Sequence, residues 1–221
     1  VGGEAAPSRN DEYLLYQVLL GTCRPEDIAI DGGSEASGAY ADRIAGYMVK
    51  AAREAKVRTS WINPAPDYEA ALTGFVRETL APGASNPFPG ELREQTASIA
   101  WFGAMNSLAM TVVKYTSPGV PDLYQGNECF DFSLVDPDNR RPVDFDRNAV
   151  LLGAIEQRVR VEGLAKVAAS LSRDPRRDEA KLFVTWRLLH LHRARVALMR
   201  DGDYRPLVVS GAAAVHLVAY A

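Results

Sequence analysis

Residues 116–144 have the sequence TSPGVPDLYQGNECFDFSLVDPDNRRPVD, which joins an apolar helical pattern to a polar loop. Turn-forming residues come first, at 117–119, and a short mixed run at 121–126 then stops at Gly126. A loop rich in Asp and Arg follows. This order predicts a helix, a turn, a short buried strand and a loop at the carboxyl end of that strand. Because α/β proteins build their sites at that end, the order is the first indication of function.

Length and composition exclude several classes of protein. The 221 residues permit one domain of ordinary size, and 47% hydrophobic with 24% charged residues is typical of soluble globular proteins. A net charge of −3 gives no basic footprint, so neither nucleic acid nor a membrane surface is an expected partner. No apolar run of about 18 residues indicates a membrane span. The two cysteines predict neither a disulfide framework nor a metal site, and a cytoplasmic location is the default.

Apolar residues at helical spacing predict several helices, and Ser8 followed by Asp11 predicts a capped start for the first. The helices are expected over about 10–20, 42–56, 68–80, 91–114, from Asp146 onward, and 179–199. The second half of the fourth helix, from Trp101 to Val113, is almost wholly apolar, and such a helix is expected to be buried. Alternating residues at 204–210 and 215–221 predict two antiparallel strands.

Two runs carry a family resemblance, SPGVPDLYQGNE at 117–128 and DFSLVDPDNRRPVD at 131–144. Both closely resemble the last barrel strand and the following loop of the maltooligosyltrehalose synthase family. That family lies in the α-amylase superfamily of retaining glycosidases and transglycosidases, glycoside hydrolase family 13. The general superfamily pattern is met by Gly119, Pro121, Gly126 and Glu128. The longer run narrows the resemblance to the trehalose-forming branch.

The resemblance implies an α/β fold made of part of a (β/α)8 TIM barrel, with the last strand and its surrounding helices, followed by the start of an antiparallel β domain. Residues 1–145 would be the C-terminal part of the barrel, with the eighth strand near 121–126. Residues 146–200 would be a helical segment that closes the barrel, and 201–221 the start of a β-rich C-terminal domain. Since the relatives extend in both directions, we expect a longer polypeptide.

The resemblance also implies an activity, an intramolecular transglycosylation catalysed by an isomerase. The reducing-end α-1,4 linkage of a maltooligosaccharide would become an α,α-1,1 linkage, with an α-1,4-glucan as the partner and no cofactor. The oligomeric state stays open. In the superfamily the catalytic carboxylates follow strands that would precede Val1, so no catalytic residue is assigned and the chain alone is expected to be inactive. The alternatives are an α-glucan hydrolase, or a non-catalytic carbohydrate-binding or structural module.

Seven residues are candidates for contact with the sugar, because aromatic faces stack on sugar rings and short polar groups bond their hydroxyls. They are Trp61, Tyr124, Gln125, Glu128, Asp136, Arg140 and Arg141. For four of the positions a structural role is open as well. Trp61 would anchor a core between helices, Glu128 would accept backbone N–H bonds of its own loop, and an Asp136–Arg140 ion pair would close a turn.

Overall fold

The computed structural model describes residues 5–29 and 35–221, and helices hold 64% of the structure. The chain forms two compact units: unit 1 is Val1–Ala100 with Phe132–Pro142, and unit 2 is Trp101–Asp131 with Val143–Ala221. The α-helices are α1 (Arg9–Thr22), α2 (Glu35–Ala55), α3 (Pro66–Thr79), α4 (Phe88–Thr116), α5 (Phe145–Glu162), α6 (Leu164–Leu171), α7 (Asp178–Ala194) and α8 (Val196–Asp201). Short 3-10 turns lie at Pro25–Asp27, Asp138–Arg140 and Ala214–His216.

The core of unit 1 is built by α1, α2 and α3, whose apolar residues recur at helical spacing. Fully buried members are Leu15, Ile44, Met48, Leu72 and Val76. Removing such side chains from water is the main term that stabilises a domain of this size. The packing fixes α2 from Tyr40 to Ala52, which makes this part of the helix a rigid support for the loop at 132–142.

Helix starts follow the capping chemistry more closely than the periodicity alone suggests. The Ser8 hydroxyl accepts the Asp11 N–H at 3.2 Å and caps α1, as the sequence predicts. In contrast α5 is capped by Asp144, which accepts the Arg147 N–H at 2.9 Å, and not by Asp146. Helix α2 begins at Glu35, well before the predicted start at residue 42.

The core of unit 2 is built by α5, α6 and α7. Its buried residues include Ile155, Val167, Leu171 and Leu182. Gly163 lies between α5 and α6 with φ +86, a backbone conformation that costs a glycine little and other residues more. The glycine therefore lets α6 fold back so that all three helices share one core.

Helix α4 is not the buried helix that its composition predicts. Trp101 is 41% exposed, Phe102 64% and Met110 72%. The helix has 29 residues with a mean hydropathy of 1.3 over its most apolar window, of which 11% is buried. By length and composition it therefore meets the criterion for a membrane span, contrary to the sequence expectation, although core helices of soluble proteins meet it too. Within residues 5–29 and 35–221 no sheet is present against which α4 packs.

The predicted α/β fold is wrong for this structure. A (β/α)8 TIM barrel fragment followed by an antiparallel β domain requires strands, and the described residues contain none. Residues 121–124, expected to be the eighth strand, are irregular, and 125–128 form a turn. A strand becomes stable only when neighbouring strands pair its N–H and C=O groups, and no such neighbour occurs in the part of the chain described here.

The predicted C-terminal hairpin is reduced to one antiparallel bridge between Pro206 and Tyr220. Arg205 and Ala221 exchange backbone hydrogen bonds of 2.9 and 3.0 Å, and the Leu207 N–H donates to Ala219 at 2.8 Å. Pro206 has no N–H, and a two-stranded ribbon without a third strand is marginal, which accounts for the short pairing. The domain boundaries at residues 145 and 200 stay predictions.

Candidate functional site

The polar loop at 132–142, here called the Asp138 loop, is attached to α2 within unit 1. The Lys50 ammonium donates a hydrogen bond to the Asp136 carbonyl oxygen, and an Arg43 terminal nitrogen donates to the Phe132 carbonyl at 3.2 Å. Leu134 packs against the core of unit 1. Polar bonds and an apolar contact therefore fix the loop on one helix.

The centre of the loop is the carboxylate of Asp138, whose side chain is only 7% exposed. One carboxylate oxygen accepts the Leu134 N–H at 2.6 Å and lies 3.6 Å from Arg43 Nε. The other oxygen lies 3.2 Å from Arg141 Nε. A buried carboxylate with a backbone donor and two guanidinium neighbours is satisfied inside the protein, which makes it a structural charge.

Arg141 is also engaged inside the loop. Its Nε donates to the Asp138 carbonyl at 3.1 Å, and a terminal nitrogen donates to the Ser133 hydroxyl at 2.9 Å. These bonds tie the two ends of the loop together. Of the two consecutive arginines, Arg141 therefore has a structural role here, whereas Arg140 projects outward.

Asp136 and Arg140 form an ion pair on the exposed side of the loop, as one sequence interpretation suggests. The Asp136 Oδ1 and Arg140 Nε atoms lie 2.5 Å apart, and the side chains are 44% and 71% exposed. A carboxylate and a guanidinium held side by side in contact with solvent offer both acceptors and donors. The pair is suited to neighbouring hydroxyl groups of a ligand.

Trp61 is 58% exposed and does not anchor a core. The Arg53 guanidinium lies over its ring at 4.8 Å, and Arg53 also forms two hydrogen bonds of 2.8 and 2.5 Å with Glu69. Glu69 in turn accepts the Thr59 hydroxyl at 2.6 Å. The Arg53 hydrogen bonds hold the pKa of the Glu69 carboxyl below its ordinary value. Charged groups thus fix an exposed indole ring.

The structure brings Trp61 and Asp136 to the same part of α2. Arg53, which holds Trp61, and Lys50, which holds Asp136, are three residues apart. Residues at that spacing lie on one helix face, about 4.5 Å apart along the axis. Arg43, Lys50 and Arg53 form a basic row on α2 that supports both candidate regions.

The turn at 124–130, here called the Glu128 turn, lies in unit 2. One Glu128 oxygen accepts the Gly126 N–H at 2.9 Å, and the other accepts the Asn148 amide at 2.9 Å. Gly126 has φ +90, and an added Cβ would lie 3.1 Å from Val143, so the turn requires glycine. Glu128 therefore holds its own turn, in line with the structural alternative.

Asp178 and Arg147 hold the far end of the Glu128 turn. Asp178 accepts the Phe130 N–H at 3.0 Å and pairs with Arg147 at 2.5 Å, and its hydrogen bond with Arg147 raises the pKa of that guanidinium. Burial raises the pKa of the neighbouring Cys129 thiol to about 11. Burial also lowers the pKa of Lys181, whose ammonium lies 5.2 Å from the centre of the Phe130 ring. The turn is fixed at both ends.

Tyr124 and Gln125 are exposed beside this fixed turn, and Tyr124 retains 52% of its accessible surface. The seven candidates thus divide between the units. Unit 1 holds Trp61, Asp136, Arg140 and Arg141, and unit 2 holds Tyr124, Gln125 and Glu128. No group of three metal-ligating side chains occurs among the residues that the structure describes.

Sequence reasoning missed the residues that hold both regions. These are Arg43, Lys50 and Asp138 in unit 1, and Asn148 and Asp178 in unit 2. In the sequence, Lys50 and Arg53 lie outside the apolar stripe of their predicted helix, which is also the pattern of a solvated helix face. The one available signal was their helical register with Arg43, which puts three cations on the same side of α2.

Comparison with known proteins first gives a class: the chain is similar to trehalose-forming synthases. No protein-family profile matches it. The curated relatives are two proteins called putative maltooligosyl trehalose synthase, from the H37Rv and CDC 1551 strains of Mycobacterium tuberculosis. Each is 35% identical over 186 residues, which cover 84% of this chain and 21% of the relative.

Solved structures of maltooligosyltrehalose synthases have a backbone fold similar to that of this chain. A maltooligosyl trehalose synthase crystal structure matches with a TM-score of 0.75 at 32% identity, over 92% of this chain and 25% of its own. The Arthrobacter ramosus maltooligosyltrehalose synthase gives a TM-score of 0.74 at 33% identity, over 99% and 25%. The resemblance is confirmed: the relatives by sequence and by structure are maltooligosyltrehalose synthases. The chain spans about a fifth to a quarter of their length.

Proposed function

We propose that the chain is a segment of a maltooligosyltrehalose synthase that acts on α-1,4-glucans. The reaction would convert the reducing-end α-1,4 linkage of a maltooligosaccharide into an α,α-1,1 linkage. The names of the curated and structural relatives support this assignment. We further propose a place in glycoside hydrolase family 13, an isomerase class and a cytoplasmic location.

We propose that unit 1 binds the glucan through Trp61 and the Asp136–Arg140 pair. The observation that carries this is the exposed ion pair on the Asp138 loop, whose backbone is fixed to α2. A preformed pair of donor and acceptor binds sugar hydroxyls without the cost of ordering a mobile loop. The exposed Trp61 ring, held by Arg53 near the same part of α2, adds a surface on which a sugar ring stacks.

Tyr124 and Gln125 are proposed to contact sugar from unit 2. The Glu128 turn holds their backbone, whereas their side chains are exposed. Glu128 is retained as a support of the candidate region in unit 2 and Arg141 as a support of the candidate region in unit 1, since both are engaged in internal hydrogen bonds. No acid of this chain is proposed as nucleophile or as general acid.

The proposed chemistry places a specific demand on these loops. A retaining reaction passes through a glycosyl-enzyme intermediate, which water or a sugar hydroxyl then attacks. To give an isomerised product, the released glucose must stay in place until its anomeric hydroxyl attacks. Fixed loops that bind sugar and exclude water favour that outcome over hydrolysis.

The test uses a full-length polypeptide that carries this segment, with the 221-residue chain as the control. Each protein is incubated with maltopentaose, while reducing ends and free glucose are measured together. Loss of reducing ends with little free glucose is the result expected for trehalosyl formation. A rise in reducing ends would instead indicate an α-glucan hydrolase. Turnover by the 221-residue chain would contradict the assignment of the catalytic carboxylates to other parts of the protein.

A further inference from the structure

We propose that Asp138 is a positioning residue for sugar recognition. With Arg43 and Lys50 it holds the Asp138 loop in the conformation that presents the Asp136–Arg140 pair to the ligand. This inference rests on the proposed function, because it assigns a role in substrate binding to groups that act through other residues.

The Asp138 carboxylate differs from that of Asp136 in the same loop. Its side chain is 7% exposed, against 44% for Asp136. Its oxygens face the Leu134 N–H and the guanidinium groups of Arg43 and Arg141. A carboxylate surrounded by donors of its own loop and of α2 orients the backbone and has little surface left for a ligand.

Helix α2 provides two attachment points that set the path of the loop. Arg43 and Lys50 are seven residues apart, about 10 Å along the helix axis. They hold the carbonyl groups of Phe132 and Asp136, four residues apart in the loop. Because the core of unit 1 fixes α2, these two bonds fix the backbone on which the Asp136 side chain is carried.

Arg43 also depends on Asp138. Its buried Nε has no hydrogen-bond partner, and the Asp138 carboxylate at 3.6 Å is the negative charge that compensates it. Loss of that charge leaves the buried Nε of Arg43 uncompensated and releases the Leu134 N–H at the same time. The effect therefore reaches the Arg43 attachment point and the loop backbone at Leu134, whereas the loss of the Asp136 carboxylate removes a surface ion pair.

The test compares Asp138→Asn, the conservative variant Asp138→Glu, and the control Asp203→Asn, whose side chain is 81% exposed. Hydrogen exchange of the 132–142 amides is measured in the 221-residue chain. KM and kcat for maltopentaose are measured in the full-length polypeptide. For Asp138→Asn we expect faster exchange at Leu134 and a KM raised about tenfold, with kcat within about twofold, as for a misplaced binding group. Asp138→Glu should have a KM between those of Asp138→Asn and the parent protein. Asp203→Asn should leave both the exchange rates and the kinetic constants unchanged.

A fourth variant, Asp136→Asn, separates this inference from the proposed function. If Asp136→Asn leaves KM unchanged, the proposed sugar contact is wrong. If Asp136→Asn raises KM but Asp138→Asn does not, the positioning role is wrong although the contact stands. Unchanged exchange at Leu134 in Asp138→Asn overturns the positioning role whatever the activity. If Asp138→Asn lowers kcat and the melting temperature together, Asp138 acts in folding alone. That result would also overturn the positioning role.

Discussion

The Asp138 loop and the Glu128 turn are held in different ways, although the same acidic segment provides both. Asp138 is nearly buried between guanidinium groups, so charge fixes its loop. Glu128 instead bonds the Gly126 N–H and the neutral amide of Asn148, while Asp178 holds the other end of its turn. The comparison shows that acidic residues of one sequence motif have two different roles, which depend on how far each side chain is buried. Buried acids fix the backbone, and an exposed acid such as Asp136 stays accessible to a ligand.

Each region also has a lysine that is mostly removed from solvent. The Lys50 side chain is 14% exposed and faces oxygens, the Asp136 carbonyl and the Glu54 carboxylate at 3.6 Å. Lys181 is 9% exposed and lies over the Phe130 ring. The carboxylates of Asp131 and Asp178 partly offset the burial of Lys181, but burial outweighs them and lowers the pKa of its ammonium.

The largest expected effect is the loss of the buried charge in unit 1. Asp138→Ala should lower the free energy of unfolding by about 2–4 kcal/mol, because it leaves the buried Nε of Arg43 without a compensating charge and the Leu134 N–H without an acceptor. Asp136→Ala, in the same loop but exposed, should lower it by less than about 1 kcal/mol. Urea unfolding followed by circular dichroism measures both. Equal losses of unfolding free energy in the two variants would show that the difference in burial between Asp138 and Asp136 has no effect on stability.

A smaller effect is expected at the corresponding charge of unit 2. Asp178→Ala removes the acceptor of the Phe130 N–H and the partner of Arg147, and should cost about 1.5–3 kcal/mol. The side chain is 11% exposed and Arg147 is 50% exposed, so solvent compensates the arginine more than it can compensate Arg43. Asp174→Ala, which breaks an exposed ion pair with Arg176, is the control. A larger loss for Asp178→Ala than for Asp138→Ala would reverse the comparison.

The helices could be predicted from the sequence, but their packing could not. Periodicity located α1, α3 and α5 to within a few residues, because one apolar face decides each of them. The strand predicted at 121–126 is absent, since a strand depends on partners that no local pattern supplies. The prediction that α4 is buried was wrong for the same reason. Composition shows how apolar a helix is, but it does not show which other elements cover the helix.

The candidate site was predictable only where exposed side chains define it. Trp61, Asp136 and Arg140 were identified from residue type and from the family resemblance. Their supports were missed because Arg43 and Lys50 are 89 and 86 residues from the carbonyl groups that they hold. Contacts over such separations are set by the packing of the unit, and a charged residue on a helix gives the same pattern whether it is solvated or anchored.

A pH-dependent effect is expected at Lys181. Burial lowers its folded-state pKa below the ordinary value of 10.5, so between the two pKa values the unfolded chain binds more protons. Stability should therefore rise as pH increases through that window. Below that window both states are protonated and the folded state bears the cost of the buried charge. Lys181→Met should then be slightly more stable than the parent chain, and the difference should shrink above pH 10.5.

Urea midpoints at about pH 7 and at high pH test this expectation, with Lys166→Met as the exposed control on α6. If Lys181→Met is less stable than the parent chain at neutral pH, the ammonium–ring contact with Phe130 outweighs the cost of burial. Lys181 would then resemble Lys50 as an anchor, and the distinction between the two lysines would fail.

The smallest effect on stability is expected at Arg140, and it is the most informative for function. The side chain is 71% exposed and pairs with the half-exposed Asp136, so Arg140→Ala should change the free energy of unfolding by no more than about 0.5 kcal/mol. Arg141→Ala, one residue later, removes the bonds to Ser133 and Asp138 and should cost more. The two variants delete the same chemical group, so their difference isolates the role of position. If Arg140→Ala weakens maltooligosaccharide binding while leaving unfolding unchanged, the exposed pair acts on the ligand. If it destabilises the chain as much as Arg141→Ala does, the pair is a structural contact, and the division between buried and exposed charges does not separate fold from function in this loop.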